Sequence, residues 1–418
     1  MIPSNNPHRS YEDVPAYWHK APPSSGVFYE DFRRCVNWCA MHGNVPVYHR
    51  QSFGMSTEPY GLEISSDLNA EAAANALTEH AMNLVQPAIQ HWQWLYSKLE
   101  DQDSRMLLLT VLAYRALGWK YVQMPLDSSA FWQCMARLSE TEKSNEPLSP
   151  ALQECAPYPM SLFDLEGKSG MLRMYSNAFG IFNEFIYSQY TLRSRKGVIS
   201  PNPGDVVLDC GACYGGTSLQ FADSVGPGGV VVAYEFFPEN LRIFEENIRI
   251  NPALGARVKL VERPVWNDSG VRMSIEGSGP ATQVHIAKND EASQGVTRSF
   301  ESITIDDTVK ELKLPRIDFI KMDIEGAEMM ALRGAKRSLV KYRPTLAICV
   351  YHKLIDFYEI PQFIDSLGLD YEFSLQHSTV HGDETVVFAR PRGGRNRILN
   401  LWPLPNIRWI RYNFKKRK

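Results

Sequence analysis

A strand that ends in a glycine turn and opens a helix is the feature that most constrains the fold of this chain. Val206-Val207-Leu208 is predicted as a buried strand, and the turn after it contains Gly211 and Gly215 before a helix from about Gly216 to Ser224. Continuous Val/Ile/Leu runs suit strands buried on both faces, as in a parallel sheet covered by helices. Further runs of this kind predict strands at 230–234, 258–261, 317–322 and 345–350, and a terminal strand pair at 371–375 and 385–389. The sequence therefore predicts an α/β fold.

Composition and charge narrow the class of protein. With 44% hydrophobic and 22% charged residues, the 418-residue chain has a globular profile and is long enough for two domains or one domain with a large extension. The apolar runs are too short to span a bilayer, and the first residues do not resemble a signal peptide. Seven sparse cysteines favour a reducing compartment, so we expect a cytoplasmic protein. The net charge of −3 hides an acidic body, which argues against nucleic-acid binding.

The N-terminal region, residues 1–150, is predicted to be mainly helical. Its first part, 1–60, is rich in Pro and aromatics without a clear period, and we expect it to be irregular. Helices are predicted at 69–100, interrupted by Pro87, at 106–117 with a cap at Asp103-Ser104 and a stop at Gly118, and at 128–140. Residues 141–150 have the composition of a linker. Residues 151–200 are predicted as a hairpin, with strands at 160–163 and 171–175, and a helix at 177–190.

The glycine turn favours S-adenosylmethionine over a dinucleotide. Counted from Gly211, the dinucleotide fingerprint requires a glycine where this chain has Cys213. Asp209, at the strand end, would repel a phosphate but could face an ammonium group. Glu235 ends the next strand, where an acid can accept both ribose hydroxyls. Gly211 and Ala212 would let the backbone pass under the methionine part. A generic α/β crossover explains the glycines but not the two acids.

A second cluster of ionisable residues follows the strand at 317–322. It runs Lys321-Met322-Asp323-Ile324-Glu325-Gly326-Ala327-Glu328. A helix that starts near Glu325 and continues to about Lys341 would bring Glu325 and Glu328 to one face. Capping of a helix N-terminus explains these two acids equally well, but it explains Asp323 less well.

Residues 317–328, with Ala331-Leu332 and Gly334-Ala335, resemble the hallmark of FkbM-type methyltransferases. These are class I S-adenosylmethionine enzymes, mostly O-methyltransferases of sugars and polyketide-type natural products. The resemblance spans about Pro201 to Arg390. It includes 209–216, Glu235-Phe236, 305–307, 348–353, Ile360-Pro361 and 384–386. Two earlier stretches also look like the longer members of the family, namely 103–105 with 114–115, and 189–190.

The resemblance implies a Rossmann-like class I methyltransferase sheet, mostly parallel with an antiparallel C-terminal strand, over residues 201–390. The cofactor-binding residues expected from the turn and the resemblance are Asp209, Gly211, Ala212, Tyr214, Gly215, Glu235, Phe236, Trp266, Asn267 and Asp323, with the adenine near 265–268. Where the family commonly has a second acid in the glycine turn, this chain has Gly215-Gly216. The resemblance therefore predicts no polar cofactor contact from position 216.

His352 is the first candidate for the general base, because it follows a strand and its ordinary pKa of about 6.5 suits proton abstraction near neutral pH. Asp323 is the alternative base, or the residue that orients His352. A divalent metal is compatible with Asp323, Glu325, Glu328 and His352 as ligands, but their spacing does not require one, so we assign no metal ligand. His377 and His381 are weaker candidates for the acceptor site.

The predicted function is O-methyl transfer to a hydroxyl of a sugar, a glycan or a glycosylated natural product. A non-catalytic S-adenosylmethionine-binding scaffold and a nicotinamide oxidoreductase are the alternatives. Residues 391–418 form a basic, aromatic tail, which predicts either peripheral contact with an anionic membrane or a solubilising segment. The N-terminal region is a candidate acceptor lid or homodimer interface.

Overall fold

The computed structural model describes residues 25–43, 69–140, 143–194, 197–276, 283–287 and 299–393. The chain divides into two compact units. The first combines the described residues of Met1–Cys134 with Phe373–Thr385, and the second combines those of Met135–Glu372 and Val386–Lys418. The predicted domain boundaries remain predictions.

Helices make up most of the first unit, as the sequence predicts. They are α1 (Phe28–His42), α2 (Ala70–Val85), a 3₁₀ turn (Gln86–Ala88), α3 (Ile89–Lys98), α4 (Gln102–Leu117) and α5 (Ser129–Glu140), whose second half belongs to the other unit. Pro87 lies in the 3₁₀ turn between α2 and α3, where its missing N–H interrupts the α-helical ladder. Gly118 ends α4 with a φ of 77°, as expected, but Asp101 rather than Asp103-Ser104 caps its start.

Helix α1 corrects the prediction that residues 1–60 are irregular. Phe28, Phe32, Cys35, Val36 and Cys39 are buried along one side of this helix. Their spacing of three and four residues is helical, but the Pro-rich surroundings hide it. Residues 1–24 and 44–60 lie outside the described residues.

The second unit begins with a three-stranded antiparallel sheet. Its strands are β1 (Lys143–Pro147), β2 (Ser161–Gly167) and β3 (Gly170–Ser176), with the short helix α6 (Pro150–Gln153) between the first two. The β2–β3 hairpin was predicted. The expected linker at 141–150 instead contains β1, since pairing with β2 outweighs the weak strand propensity of its sequence. Helix α7 (Ala178–Ile181) continues as a π-helical turn, Phe182–Tyr187, and a small hairpin follows, β4 (Leu192–Ser194) and β5 (Gly197–Ile199).

A seven-stranded sheet forms the centre of the α/β architecture. Its strands are β6 (Val206–Cys210), β7 (Val230–Tyr234), β8 (Val258–Val261), β12 (Phe319–Met322), β13 (Thr345–Cys349), β14 (Tyr371–His377) and β15 (Thr385–Pro391). The spatial order is β14-β15-β13-β12-β6-β7-β8. Strands β8, β7, β6, β12 and β13 are mutually parallel, and β15 pairs with β13 antiparallel. The predicted sheet, mostly parallel with an antiparallel C-terminal strand, is therefore confirmed.

The helices between these strands mostly follow the sequence prediction. They are α8 (Gly216–Val225), α9 (Pro238–Arg249), α10 (Pro252–Gly255), α11 (Ile305–Glu311), α12 (Glu328–Arg333), α13 (Lys336–Tyr342) and α14 (Asp356–Ser366). The single helix expected from Glu325 to Lys341 is two short helices, α12 and α13. It starts later than expected because Glu325 and Gly326 have φ values of 55° and 90°, which a right-handed helix cannot contain.

A small antiparallel sheet after β8 was not predicted. It comprises β9 (Arg272–Glu276), β10 (Gln283–Ile286) and β11 (Ser299–Glu301) in the order β10-β9-β11. These strands are short and carry polar residues, so they lack the apolar runs that reveal the central strands. Within the described ranges, every helix is too short or too polar to cross a membrane. The tail after residue 393 lies outside those ranges.

Candidate active site

The carboxyl ends of four adjacent parallel strands bring the candidate residues to one edge of the sheet. Strands β6, β7, β12 and β13 end at Cys210, Tyr234, Met322 and Cys349, and the first three of these ends are in register, with β13 one residue longer. The residues that follow each strand are Gly211, Glu235, Asp323 and the 350–352 stretch. An open α/β sheet binds its ligands at this edge, where the strand order reverses on either side of β6.

The glycine turn after β6 requires Gly211 for a close backbone approach. Gly211 has a φ of 85°, and a Cβ at this position would lie 1.9 Å from the carbonyl oxygen of Asp323. The amide of Asp323 also donates to the carbonyl of Cys210 at 3.1 Å. Gly215 has a φ of 87°, and a Cβ there would lie 2.9 Å from the Phe244 ring. The turn therefore packs tightly on the end of β12 and leaves little room for side chains.

Asp209 lies beneath this turn and is fully buried. Its Oδ2 accepts hydrogen bonds from the hydroxyls of Thr217 and Ser218, at 2.7 and 2.6 Å. Its Oδ1 lies 3.2 Å from the ammonium Nζ of Lys321, which is also buried. The ammonium group that Asp209 faces is thus the one of Lys321. We expect any contribution of Asp209 to cofactor binding to act through the shape of the turn.

Glu235 lies at the end of β7, where the sequence predicts a ribose-binding acid. Its Oε1 accepts from the amides of Phe236 and Phe237, both at 2.8 Å, and its Oε2 accepts from the Asn240 side chain at 3.3 Å. Burial raises the pKa of Glu235, while these hydrogen bonds oppose the shift. The carboxylate is therefore held in one orientation and retains lone pairs on Oε2 for a hydroxyl ligand.

The other expected cofactor residues lie around the same sheet edge. Ala212 and Tyr214 are buried in the glycine turn, and Phe236 packs edge-on against Phe300 at 5.1 Å between ring centroids. Trp266 and Asn267 follow β8 and are partly exposed. The backbone of Trp266 is fixed by its amide, which donates to Ile303 at 3.0 Å. Their assignment to the cofactor stays a prediction.

The Asp323 carboxylate lies at the end of β12 and is held by two tyrosines. Its Oδ2 accepts from the hydroxyl of Tyr190 at 2.8 Å, and its Oδ1 accepts from the hydroxyl of Tyr351 at 3.1 Å. Burial favours a higher pKa for Asp323, but the charges of Lys321 and His352 and the Tyr190 hydrogen bond outweigh it and lower that pKa. Asp323 is therefore a carboxylate at neutral pH.

His352 is surrounded by three carboxylates. Its Nε2 lies 3.6 Å from Oδ1 of Asp323 and 3.5 Å from Oε2 of Glu325, and its Nδ1 lies 3.2 Å from Oε1 of Glu328. Burial alone would lower the pKa of His352, but Glu325, Glu328 and Asp323 raise it to about 11. The ring is therefore an imidazolium near neutral pH. His352 therefore lacks the ordinary pKa expected from the sequence, and its assignment as the general base stays a prediction. The alternative, in which Asp323 is the base or orients His352, is compatible with this geometry.

Asp323, Glu325 and His352 also form a potential metal-binding group. One ligand atom from each lies within 4.8 Å of the others. Glu325 has a φ of 55°, a strained conformation for a non-glycine residue. Carboxylates with an imidazole suit a divalent metal such as Mn²⁺ or Mg²⁺, provided that the imidazole loses its proton.

Sequence reasoning did not assign a site role to Glu184, Tyr190 or Tyr351. Tyr190 and Tyr351 lie within stretches that resemble the family, so the resemblance could have revealed them. Glu184 lies in the π-helical turn, and its carboxylate reaches the glycine turn at Gly216. Neither spacing nor composition marks this contact.

The fold and this site define a class I methyltransferase-like α/β domain. Residues 209–373 match the sequence model of a family described as "Methyltransferase FkbM domain". The FkbM methyltransferase domain expected from the sequence is thus confirmed over residues 209–373. No curated protein matches the chain significantly.

Several solved methyltransferase structures are similar in part. Methyltransferase FkbM from Methylobacillus flagellatus KT is 18% identical with a TM-score of 0.45; the similarity covers 77% of this chain but only 65% of the Methylobacillus chain. Fibrillarin from Aeropyrum pernix, in complex with natively bound S-adenosyl-L-methionine, is 12% identical over 55% of this chain and 93% of its own, with a TM-score of 0.29. A precorrin-6y C5,15-methyltransferase from Geobacter metallireducens is 16% identical over 46% and 82%, with a TM-score of 0.28. Because these TM-scores lie below 0.5, we base the assignment on the family match of residues 209–373.

Proposed function

We propose that the whole chain is an S-adenosylmethionine-dependent O-methyltransferase whose acceptor is a hydroxyl of a sugar, a glycan or a glycosylated natural product. The observation that carries the proposal is the ionised Asp323 carboxylate at the carboxyl end of β12, next to the Gly211 turn and held by two tyrosine hydroxyls. The sugar class of acceptor rests on the family resemblance described above.

The cofactor fits the residues at this edge. Glu235 offers a fixed carboxylate for a ribose diol, and Gly211 brings the glycine turn into close contact with the end of β12, where Asp323 lies. Cys213 stands where a dinucleotide fingerprint needs glycine, which disfavours a nicotinamide cofactor. When bound, S-adenosylmethionine supplies the methyl group on a sulfonium, the electrophile of the transfer.

The chain's own residues supply orientation and a proton acceptor. In-line transfer needs the acceptor oxygen aligned with the methyl group, and positioning alone accounts for much of such an acceleration. Asp323 accepts the hydrogen bond, and then the proton, of the acceptor hydroxyl. Its carboxylate can do so while it keeps the hydrogen bonds of Tyr190 and Tyr351, because it offers about four lone-pair positions. His352, as an imidazolium, positions Asp323 and Glu325.

A metal-assisted version is supported by the cluster of Asp323, Glu325 and His352, whose ligand atoms lie within 4.8 Å of one another. A divalent cation there would lower the pKa of a coordinated hydroxyl. The two versions differ in their response to chelators. Activity that survives exhaustive EDTA treatment favours Asp323 as the base. Activity that is lost with EDTA and restored by Mn²⁺ or Mg²⁺ favours the metal.

The experiment incubates the purified chain with S-adenosylmethionine and a panel of deoxysugars, nucleotide sugars and glycosides. S-adenosylhomocysteine formation and methylated product are followed by mass spectrometry. We expect turnover with at least one hydroxyl acceptor, and a fall of roughly 10²–10⁴-fold in Asp323→Asn. Full activity of Asp323→Asn would overturn the assigned role. Failure of the folded wild-type protein to bind S-adenosylhomocysteine, with binding of NAD instead, would overturn the proposed function.

The partners and location remain proposals. We propose a cytoplasmic enzyme that forms homodimers through its N-terminal helices and whose basic tail, residues 391–418, contacts an anionic membrane surface. Basic and aromatic residues together are typical of interfacial segments. Liposomes containing anionic lipid should bind the full chain and not a variant lacking 391–418. Equal binding of the two would contradict the role of the tail.

A further inference from the structure

The carboxylate of Glu184 fills the space where a side chain at position 216 would lie. Glu184 belongs to the π-helical turn Phe182–Tyr187, and Gly216 is the first residue of α8. A Cβ on Gly216 would lie 1.8 Å from Oε2 and 2.8 Å from Oε1 of Glu184. Irregular π-helical turns are frequent at functional sites. An acid is therefore present at the glycine turn, although it comes from a different part of the chain.

The Glu184 carboxyl group lies in a partly buried position that disfavours its negative charge. Among the described residues, its Oε2 is a buried oxygen with no hydrogen-bond partner. Burial raises the pKa of Glu184 to about 8; the positive charge of Lys321 opposes this shift, and the negative charge of Asp209 adds to it. A buried polar atom without a partner is costly, and such atoms in native proteins call for an explanation, such as a ligand that supplies the missing contact.

Lys321 is not that partner, because its ammonium is already used. Its Nζ donates to the carbonyl oxygens of Gly211 at 2.6 Å and Cys210 at 3.3 Å, and lies 3.2 Å from the Asp209 carboxylate. An ammonium group has three N–H donors, which these acceptors match. The same contacts occupy Asp209 and the Gly211 carbonyl. Oδ1 of Asp209 also lacks a hydrogen bond, but it is ion-paired with this ammonium, whereas Glu184 has no ion pair among the described residues.

We propose that Glu184 binds the α-ammonium group of the methionine part of S-adenosylmethionine. This inference rests on the proposed function, which brings an ammonium to the glycine turn. The first turn of α8 has backbone N–H groups without intrahelical acceptors, which suit the α-carboxylate of the same amino-acid group. Glu184 and the start of α8 thus hold the two charges of a zwitterion, while Glu235 holds the ribose.

The test measures binding of two ligands that differ only in the amino group. S-adenosylhomocysteine and its deaminated α-keto analogue are titrated calorimetrically into the wild-type chain and Glu184→Gln. We expect Glu184→Gln to weaken S-adenosylhomocysteine binding by roughly 10- to 100-fold, as for a lost charge-assisted hydrogen bond. The affinity of Glu184→Gln for the analogue should stay within about threefold of the wild-type affinity. The exposed residue Glu245 provides the matched control, Glu245→Gln, which should bind both ligands like the wild type.

Stability separates ligand binding from a structural role. If Glu184 serves the fold, Glu184→Gln should unfold at a lower temperature than the wild type. If it serves the ligand, replacement of a carboxyl group that lacks a hydrogen-bond partner on Oε2 by an amide of the same shape should leave the melting temperature unchanged or higher while affinity falls. A variant that is both less stable and unchanged in its preference for the amino group would overturn the proposal.

A relocated acid gives an independent check. Glu184→Ala combined with Gly216→Asp returns a carboxylate to the same space from the other side of the contact. We expect the double variant to bind S-adenosylhomocysteine more tightly than Glu184→Ala alone. Equal affinity of wild type and Glu184→Gln for S-adenosylhomocysteine would overturn the role of Glu184 and leave the proposed function standing. Absence of binding by the folded wild type would overturn both.

Discussion

The buried ammonium of Lys321 lies 3.2 Å from the carboxylate of Asp209 and ties strand β12 to strand β6 at the base of the site. Both side chains are almost fully buried. Removal of one partner leaves the other as an uncompensated buried charge. The pair therefore stabilises the alignment of the two strand ends from which Gly211 and Asp323 follow.

Lys321→Met should lower the free energy of unfolding by about 3–5 kcal/mol, because it strands the Asp209 carboxylate in the interior. Urea denaturation of the wild type and the variant measures the loss. The double variant Lys321→Met with Asp209→Asn should lose less than the two single variants together, because it buries no unpaired charge. Strict additivity would argue against direct coupling of the pair.

Gly211→Ala should be much more damaging than Gly204→Ala. The two glycines have nearly the same φ, 85° and 84°, but a Cβ on Gly211 meets the Asp323 carbonyl, whereas one on Gly204 meets nothing within 4 Å. The backbone strain, about 1 kcal/mol, is common to both variants. The close contact adds about 1–3 kcal/mol to Gly211→Ala. Thermal unfolding of both variants measures the difference, and equal losses would contradict the tight approach of β6 and β12.

Glu325→Gly should stabilise the fold while it reduces turnover. A φ of 55° suits glycine better than glutamate, so relief of strain should add about 0.5–1 kcal/mol. Loss of a carboxylate beside His352 should lower the methylation rate by about tenfold or more. The exposed Lys313, with a φ of 51°, is the matched control, since Lys313→Gly should gain similar stability at full activity. Lower stability of Glu325→Gly would contradict stored strain at this position.

His377 should make the chain sensitive to acid. Burial lowers its pKa to about 3; His381 and Arg115 contribute, and Asp383 opposes the shift. Its ring contacts the hydroxyls of Thr385 and Thr379 at 2.9 and 3.2 Å.

The unfolded chain takes up a proton at this histidine below about pH 6.5, whereas the folded chain does not until about pH 3. Stability should therefore fall as the pH drops through that window, by up to about 1.4 kcal/mol per pH unit. Denaturation at several pH values should show a shallower fall in His377→Gln, with exposed His80→Gln as the control. An unchanged slope in His377→Gln would contradict the neutral buried state.

The sequence predicts the central sheet well because its strands are buried on both faces. Runs such as 206–210 and 345–349 are mostly apolar, so their composition alone predicts that they are buried. The β9–β11 sheet and strand β1 escape prediction because cross-strand partners, rather than local residues, stabilise them. Helix α1 is missed for the opposite reason, since its period is present but short and surrounded by Pro-rich sequence.

Positions in the site are predictable where a strand end sets them, and electrostatic states are not. Asp323, Glu235 and His352 follow strands, so topology alone brings them to one edge. The protonation of His352 depends on Glu325 and Glu328, which a left-handed turn at residues 325–326 directs toward the ring. In the sequence, Gly326 is the only sign of such a turn. A glycine alone does not reveal whether the imidazole of His352 is charged.

The contact between Glu184 and Gly216 also has an evolutionary consequence. Either position can carry an acid, but a side chain at 216 and the present carboxylate at 184 exclude each other. A relative that acquires a larger residue at 216 must first or simultaneously shorten the residue at 184, so the two positions should change as a correlated pair among homologues. The matched domain begins at residue 209, upstream of which Glu184 lies. An alignment confined to the domain would therefore contain position 216 but not position 184. In such an alignment Gly216 would look like the loss of an acid from the glycine turn.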